Sequence, residues 1–344
     1  MRLKRCGIAG MLLGRCGELV SLCYVSREGA ILRLSKDEDM KCAIVTGANG
    51  FIGGWLIGEL LETGYTVVAI VRNRNKYIAE LQQLNEKLII VEKDLWDLQA
   101  CDVPKRKYDV FFNLAWAGVS PEVKNNFRLQ YSNIELAMRA LKLCHDVCCD
   151  LFIGIGTVAE YALTPEVMDL KSRQTPNDMY GASKVAAHYY IDVGARQLHQ
   201  KYIWVVLPST FGERRLDNNI ITYTIKSLLK KERPVYGDLS QMWDFLYVSE
   251  VVYALRLVAE KGKNGIVYGI GSGQYKTLKE YICQIKEIMN SDIELGIGEI
   301  KAQNERTLSS CVNIYDLIRD TGFSPRVSFE IGIERTVNYW KERM

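Results

Sequence analysis

Residues Lys41–Gly64 read KCAIVTGANGFIGGWLIGELLETG. The first seven are a short apolar run with strand character. GGWLIGELLETG then repeats apolar residues at the helical period and stops at Gly64, a residue suited to cap a helix. Between strand and helix stand Gly47, Gly50 and Gly53, spaced G-x-x-G-x-x-G. The first permits a tight turn, the second lets a pyrophosphate reach the backbone, and the third lets the helix pack close to the strand. The helix start adds free N–H groups and a partial positive charge. Three glycines alone are weak evidence. Their strand–turn–helix setting makes them a turn for dinucleotide phosphates.

The same rhythm continues on the C-terminal side. YTVVAIV reads as a strand, IAELQQLNE as a helix, KLIIVEKD and YDVFFNLAWAG as strands, and NNFRLQYSNIELAMRALKLCHD as a long helix. CDLFIGIGT is a further strand, followed by a helix opened by Tyr180 and the strand YIWVVLPST. Apolar strands alternating with helices pair in parallel, with the sheet covered on both faces. The fold class is α/β, a doubly wound, Rossmann-like parallel sheet with a smaller C-terminal mixed α/β subdomain. Residues 40–211 are expected to bind the dinucleotide. Residues 212–344 are expected to bind substrate, with segments returning to the main sheet. Residues 1–39 begin basic and carry a short apolar piece, Ile8 to Leu13, that Arg15 cuts short without a small-x-small cleavage site. Met40 stands directly before the first strand, so 1–39 is expected to be a dispensable extension, as from an upstream start codon.

The bulk numbers exclude several function classes. Lysine plus arginine exceeds acid by 44 − 41 = +3, which gives no footprint for nucleic acid or an anionic membrane. No apolar run approaches the roughly 18 residues of a membrane span. Cys144, Cys148 and Cys149 cluster beside His145, but their spacing matches no familiar ligand frame; no metal is expected, and idle thiols in a reducing cytoplasm are the simpler reading.

The second strand ends at Val71, where an NAD site usually places an acid for the ribose 2′-hydroxyl. Here VRNRNK supplies Arg72 and Arg74. A guanidinium suits a 2′-phosphate through paired, charge-assisted hydrogen bonds. The expected cofactor is NADP(H), with NAD still possible; the alternative is a solvated basic loop. Asp94 and Leu95 follow the third strand, placed to meet the adenine.

In DMYGASKVAAHYY, Tyr180 and Lys184 are helical neighbours at i and i+4. A free phenol titrates near 10, and lowering it by about three units needs roughly 4 kcal/mol of preferential anion stabilisation. Lys184 and a cationic nicotinamide are the expected source. Tyr180 would then move the proton on a sugar oxygen while hydride moves at carbon. Thr157, just past a strand end, offers a hydroxyl to hold the same oxygen; carboxyl ends of parallel strands line the ligand crevice.

With these residues in order, the chain resembles the extended short-chain dehydrogenase/reductase family, the sugar-nucleotide epimerases, dehydratases and reductases. TGANGFIG, KDL, NLAWAG, YSNIELAMRAL, GTVAEY, YGASK and WDFLYVSEVV match its landmarks from about Met40 to the end. The resemblance implies Thr157, Tyr180 and Lys184 as the catalytic set, Lys184 also holding the nicotinamide ribose, and Asn133 supporting the lysine through water. It implies Asn49, Phe51, Ile52, Leu114, Ala115, Trp116 and Pro208 around the cofactor, and Asn219 beside the substrate. Departures carry information too. Val158 and Ala159 stand where the family's dehydratases have an Asp-Glu pair, which argues against dehydration. Trp116 replaces smaller residues and shapes the sugar site. Trp243 replaces an arginine for the nucleotide phosphates, leaving Arg233 and Arg306 as candidates; Trp243 suits a core position equally well. Within that family the Arg72 signal points to an NADPH-dependent reductase of a nucleotide-linked 4-keto-6-deoxyhexose in surface-polysaccharide synthesis, and GTVAEY is similar to the branch making CDP-linked dideoxy or 6-deoxy sugars. The alternatives are an NAD-dependent C4 epimerase and a non-catalytic nucleotide-binding regulator. A homodimer through a four-helix contact including the Tyr180 helix is also implied.

Overall fold

Successive side chains of a strand point to opposite faces, so a strand covered on both sides must be apolar throughout. Strand β1 (Cys42–Thr46) and strand β2 (Thr66–Val71) meet that condition, every residue being buried. Ala43, Val45, Val67 and Ala69 enter the core on one face, and Cys42, Ile44, Val68 and Ile70 the core on the other. The computed structural model describes residues 41–164, 167–301 and 309–344, and two short strands before them. Those two, Tyr24–Val25 and Ile31–Leu32, pair antiparallel within Met1–Met40. The rest of the expected extension, and Arg306, lie outside the described residues.

The remaining sheet strands are β3 (Leu88–Glu92), β4 (Val110–Asn113), β5 (Leu151–Thr157), β6 (Lys201–Leu207) and β10 (Val267–Gly269). All pair in parallel, in the order β10-β6-β5-β4-β1-β2-β3. The chain changes direction across the sheet at β1, with β2 on one side and β4 on the other. Such a switch point opens a crevice at the strands' carboxyl ends. Edge strand β10 comes from the C-terminal part.

One face is covered by α1 (Phe51–Glu62) and α6 (Val248–Lys261), the other by α3 (Phe127–Asp146) and α4 (Met179–Leu198). Helix α1 buries Leu56, Ile57 and Leu60, each contributing about 1.5–3 kcal/mol by leaving water. It is latched to α6 by Arg256, whose guanidinium donates to Glu59 at 2.7 Å and Glu260 at 2.8 Å. Helix α2 (Lys76–Leu84) follows β2.

Beyond β6 a smaller apolar cluster forms. Strand β7 (Ser209–Phe211) pairs in parallel with β9 (Phe245–Tyr247), and β8 (Met242–Trp243) pairs antiparallel with β11 (Lys276–Thr277). Helices α5 (Ile220–Leu229), α7 (Leu278–Ile288) and α9 (Phe329–Lys341) close around Phe211, Phe245, Tyr281 and Ile333; α8 (Tyr315–Thr321) packs on α6. No described helix is long and apolar enough to cross a membrane.

Candidate active site

The glycine turn has the geometry its spacing predicts. Gly47 adopts φ +65°, and a Cβ there would lie 2.9 Å from the Leu114 and Ala115 backbone. A Cβ on Gly53 would come within 2.3 Å of Gly47 O. The Gly50 N–H donates to Gly47 O at 3.0 Å, and Gly50 caps α1 without any side-chain cap. Phe51 and Ile52 open the helix, whose first turn carries no acid. Asn49 fastens this turn to the end of β2: its amide donates to Asn73 O at 3.0 Å, and Asn75 donates back to Asn49 O at 3.3 Å. The cradle, open where side chains would fill it and lined by uncapped N–H groups, fits a dinucleotide pyrophosphate.

The two arginines after β2 separate. Arg74 is paired with Glu92 at 3.1 Å and is not free for a 2′-phosphate. Arg72 is exposed and holds no hydrogen bond or ion pair among the described residues. Asp94 turns its carboxylate to the Trp96 N–H, and Leu95 is buried in the core under α3.

The predicted strand YDVFFNLAWAG ends early, at Asn113. Leu114 to Gly118 form a loop because side chains claim its backbone: Ala115 N–H donates to Thr46 Oγ1 at 3.2 Å, and Asn133 binds both N–H and O of Ala117, at 3.0 and 2.9 Å. Buried Asn133 therefore braces the loop, a direct contact where the family resemblance implies a link to the lysine through water. The loop presents Trp116. Its Nε1–H donates to Gln130 at 3.0 Å, and its ring meets Tyr180 edge-on at 6.3 Å.

Helix α4 starts where Asp178 accepts from Gly181 N–H at 2.7 Å, and Lys124 pairs with the same carboxylate at 2.9 Å. This cap sets Tyr180 in the first turn. Gly181 lets α4 approach the Val158–Tyr161 3-10 turn, since a Cβ would sit 2.4 Å from Ala159 O. Thr157 ends β5, its hydroxyl accepting from Ala159 N–H at 3.3 Å. One helical turn on, Lys184 is buried; its ammonium donates to Ile155 O at 2.6 Å and lies 3.8 Å from the centroid of the Trp116 ring. The structure thus brings Thr157, Tyr180 and Lys184 to one edge of the sheet.

The electrostatics differ from the sequence expectation. Burial pushes the Tyr180 phenol up to about 12; the Thr157 side chain lowers it, the Glu160 and Asp178 carboxylates raise it, and Arg215 lowers it. Burial also disfavours the charge of Lys184, whose ammonium is held by Ile155 O. A phenol with its proton affinity raised is suited to act as an acid.

On the substrate side, Pro208 is buried between β6 and β7. Trp243 Nε1–H donates to Ser209 Oγ at 2.8 Å while its ring packs against Phe245, so it is partly core. Asn219 is occupied as the N-cap of α5, accepting from Ile221 and Thr222 N–H. Arg233 is held by Glu299 at 2.8 and 2.5 Å, which fills the guanidinium proposed for phosphates. Arg215 was missed by the sequence reading. It binds Thr210 O and grips Asp217 with two N–H groups, lies over Phe51, and acts on Tyr180. The paired arginines of FGERRLD, straight after a strand, are the signal that could have found it. Among the described residues no group of three His, Cys, Asp or Glu could hold a metal ion.

A dinucleotide turn at a sheet switch point, with a hydroxyl, a phenol and an ammonium at the neighbouring strand end, is the apparatus of the short-chain dehydrogenases and reductases. A model of the NAD dependent epimerase/dehydratase family matches residues 43–271, and the chain belongs to this family, NAD-dependent enzymes of the extended short-chain type. It is 25% identical over 336 residues to a dTDP-glucose 4,6-dehydratase of Haemophilus influenzae, covering 86% of this chain and 97% of that one. It is 25% identical over 306 residues to a CDP-abequose synthase of Salmonella muenchen, covering 87% and 97%. Among solved structures, a UDP-N-acetylglucosamine 4-epimerase from Methanobrevibacter ruminantium, in complex with UDP-N-acetylmuramic acid, superposes with TM-score 0.80 at 25% identity, covering 89% of this chain and 99% of that one.

Proposed function

We propose that the protein is an NADPH-dependent reductase of a nucleotide-linked 4-keto-6-deoxyhexose, working in the cytoplasm on sugars for surface polysaccharides. The observation that carries the cofactor choice is the end of β2, where Arg72 is exposed and unpaired while Arg74 neutralises Glu92. A free guanidinium beside the adenosine ribose favours a 2′-phosphate. Bound at the glycine turn, the nicotinamide would supply hydride to the keto carbon. Thr157 would hold the sugar oxygen, Tyr180 would give it a proton, and the Lys184 charge would offset the phenolate left behind. Trp116 covers Lys184 and shapes the sugar face. The turn after Thr157 carries Val158 and Ala159, and its one acid, Glu160, is bound back to the Thr157 N–H at 2.8 Å. No acid pair is offered for water elimination, which weighs against the dehydratase reading despite the Haemophilus likeness. Residues 40–211 are assigned to cofactor and 212–344 to substrate. The buried thiols Cys42, Cys144 and Cys149 suit a reducing compartment.

A C4 epimerase is the second reading, favoured by the Methanobrevibacter likeness and served by the same three residues. Purified protein with a panel of 4-keto nucleotide sugars, followed by NADPH absorbance, separates the two. A reductase consumes cofactor with one of them; an epimerase inverts a sugar with no net consumption. In the same assay Arg72→Ala is expected to weaken NADPH by about tenfold or more, roughly 1.4 kcal/mol, and NADH hardly at all. Equal losses would make Arg72 a bystander.

Phe127 and Tyr131 on α3, and Tyr189, Tyr190 and Val193 on α4, are exposed, and we assign them to the four-helix homodimer contact. Tyr131→Glu with Tyr190→Glu is expected to turn a dimer into a monomer in sedimentation equilibrium. A monomeric wild-type protein rejects the contact.

A further inference from the structure

Glu160 is wholly buried, an uncommon place for a carboxyl group. One oxygen accepts from Thr157 N–H at 2.8 Å and Trp204 Nε1–H at 3.3 Å; the other, Oε2, has no hydrogen-bond partner. Gly156 leaves room for this arrangement, since a Cβ there would lie 2.3 Å from Oε1 and 2.4 Å from the indole nitrogen. Lys184 is equally enclosed, donating to Ile155 O and covered by Trp116. The carboxylate and the ammonium thus hang on residues 157 and 155 of one strand end. Each acts on the other's charge through the protein interior.

We propose that Glu160 is a positioning residue for proton transfer at Tyr180: its buried carboxylate is the counter-charge that keeps Lys184 an ammonium. The inference rests on reading Tyr180 as the proton donor and Lys184 as its electrostatic partner. Burial alone pushes the lysine down and the glutamate up; each ionised group pulls the other back toward charge. The Glu160 carboxylate also acts on Tyr180 of α4 and on Tyr161 of the same turn, and His188 lies on α4. His188 stacks on the Trp204 ring at 4.7 Å, with burial holding it neutral; Asp178 and Arg215 act on Tyr180 with opposite sign. Of these groups, Glu160 is the buried acid, with one carboxylate oxygen left without a partner.

A purely structural reading is available, because Glu160 completes a capping box with Thr157. A glutamine serves that cap as well as a glutamate. Glu160→Gln therefore keeps the cap and removes only the charge. In substrate-free protein labelled with ε-13C lysine, the Lys184 resonance, assigned by its loss in Lys184→Met, is followed against pH. Its midpoint is expected to fall by about one pH unit or more, a tenfold shift in proton affinity. The basic limb of the kcat profile should move down with it, lowering kcat at neutral pH by about tenfold with KM little changed. An unmoved lysine midpoint overturns the proposal and leaves Glu160 a cap. A moved midpoint with an unchanged kcat profile overturns its role in the reaction. If the wild type turns over no nucleotide sugar, the functional reading fails, while the lysine titration still decides the pairing. Should the glutamine variant not fold, Trp204→Phe, which removes a donor to the carboxylate, is read by the same titration. A smaller downward shift supports the counter-charge, and no shift overturns it.

Discussion

Tyr180→Phe is expected to abolish turnover, by about a thousandfold or more, while cofactor affinity stays within about threefold of wild type. The first figure corresponds to roughly 4 kcal/mol of transition-state stabilisation, the loss usual when a positioned general acid is removed. The second follows from where the hydroxyl sits. It lies on α4, whereas the glycines proposed to cradle the cofactor, Gly47, Gly50 and Gly53, are on another element. Phenylalanine keeps the edge-on ring contact with Trp116, and α4 keeps its Asp178 cap, so the fold is not the variable under test. The check is kcat on whichever panel sugar the wild type accepts, beside a fluorescence titration with NADPH. Full activity would remove the phenol as proton donor. A large loss of cofactor affinity would recast Tyr180 as a binding residue.

That prediction was reachable from sequence because its parts are local. Tyr180 and Lys184 lie one turn apart on one helix, and Thr157 ends a strand whose apolar run is plain. The strands β1 and β2 were equally legible, since burial on both faces forbids polar alternation. Contacts between distant segments left no such trace. Arg233 and Glu299 are 66 residues apart, and no periodicity warned that the arginine was already paired. Asn219 looked available because a capping asparagine and a ligand-binding asparagine are the same letter. Nothing in GTVAEY marked Glu160 as special; only the folded chain puts its carboxylate inside. The phenol's proton affinity depends on burial, which only the folded chain sets, so i+4 spacing gave the partner and not the sign.

Gly53→Ala is expected to weaken NADPH by about a hundredfold or more and to lower stability by about 1–3 kcal/mol, the range for forcing a methyl group into a filled space. The added carbon meets Gly47 O at 2.3 Å and Ala48 Cα at 3.0 Å. Both are backbone atoms, and Gly47 O is already fixed by the Gly50 N–H, so nothing flexible can yield. Relief requires α1 to shift off β1, which opens the pyrophosphate cradle and loosens Leu56, Ile57 and Leu60 in the core. Gly58 is the internal control. It lies in the same helix with nothing within 4 Å of its missing Cβ. Gly58→Ala should therefore gain about 0.5–1 kcal/mol from helix propensity and leave cofactor binding alone. Thermal unfolding and the NADPH titration, run on both variants, give opposite results for two glycines five residues apart. If Gly53→Ala binds cofactor like the wild type, the bend after β1 is not the phosphate site, and the assignment of Tyr180 and Lys184 to hydride chemistry loses its anchor.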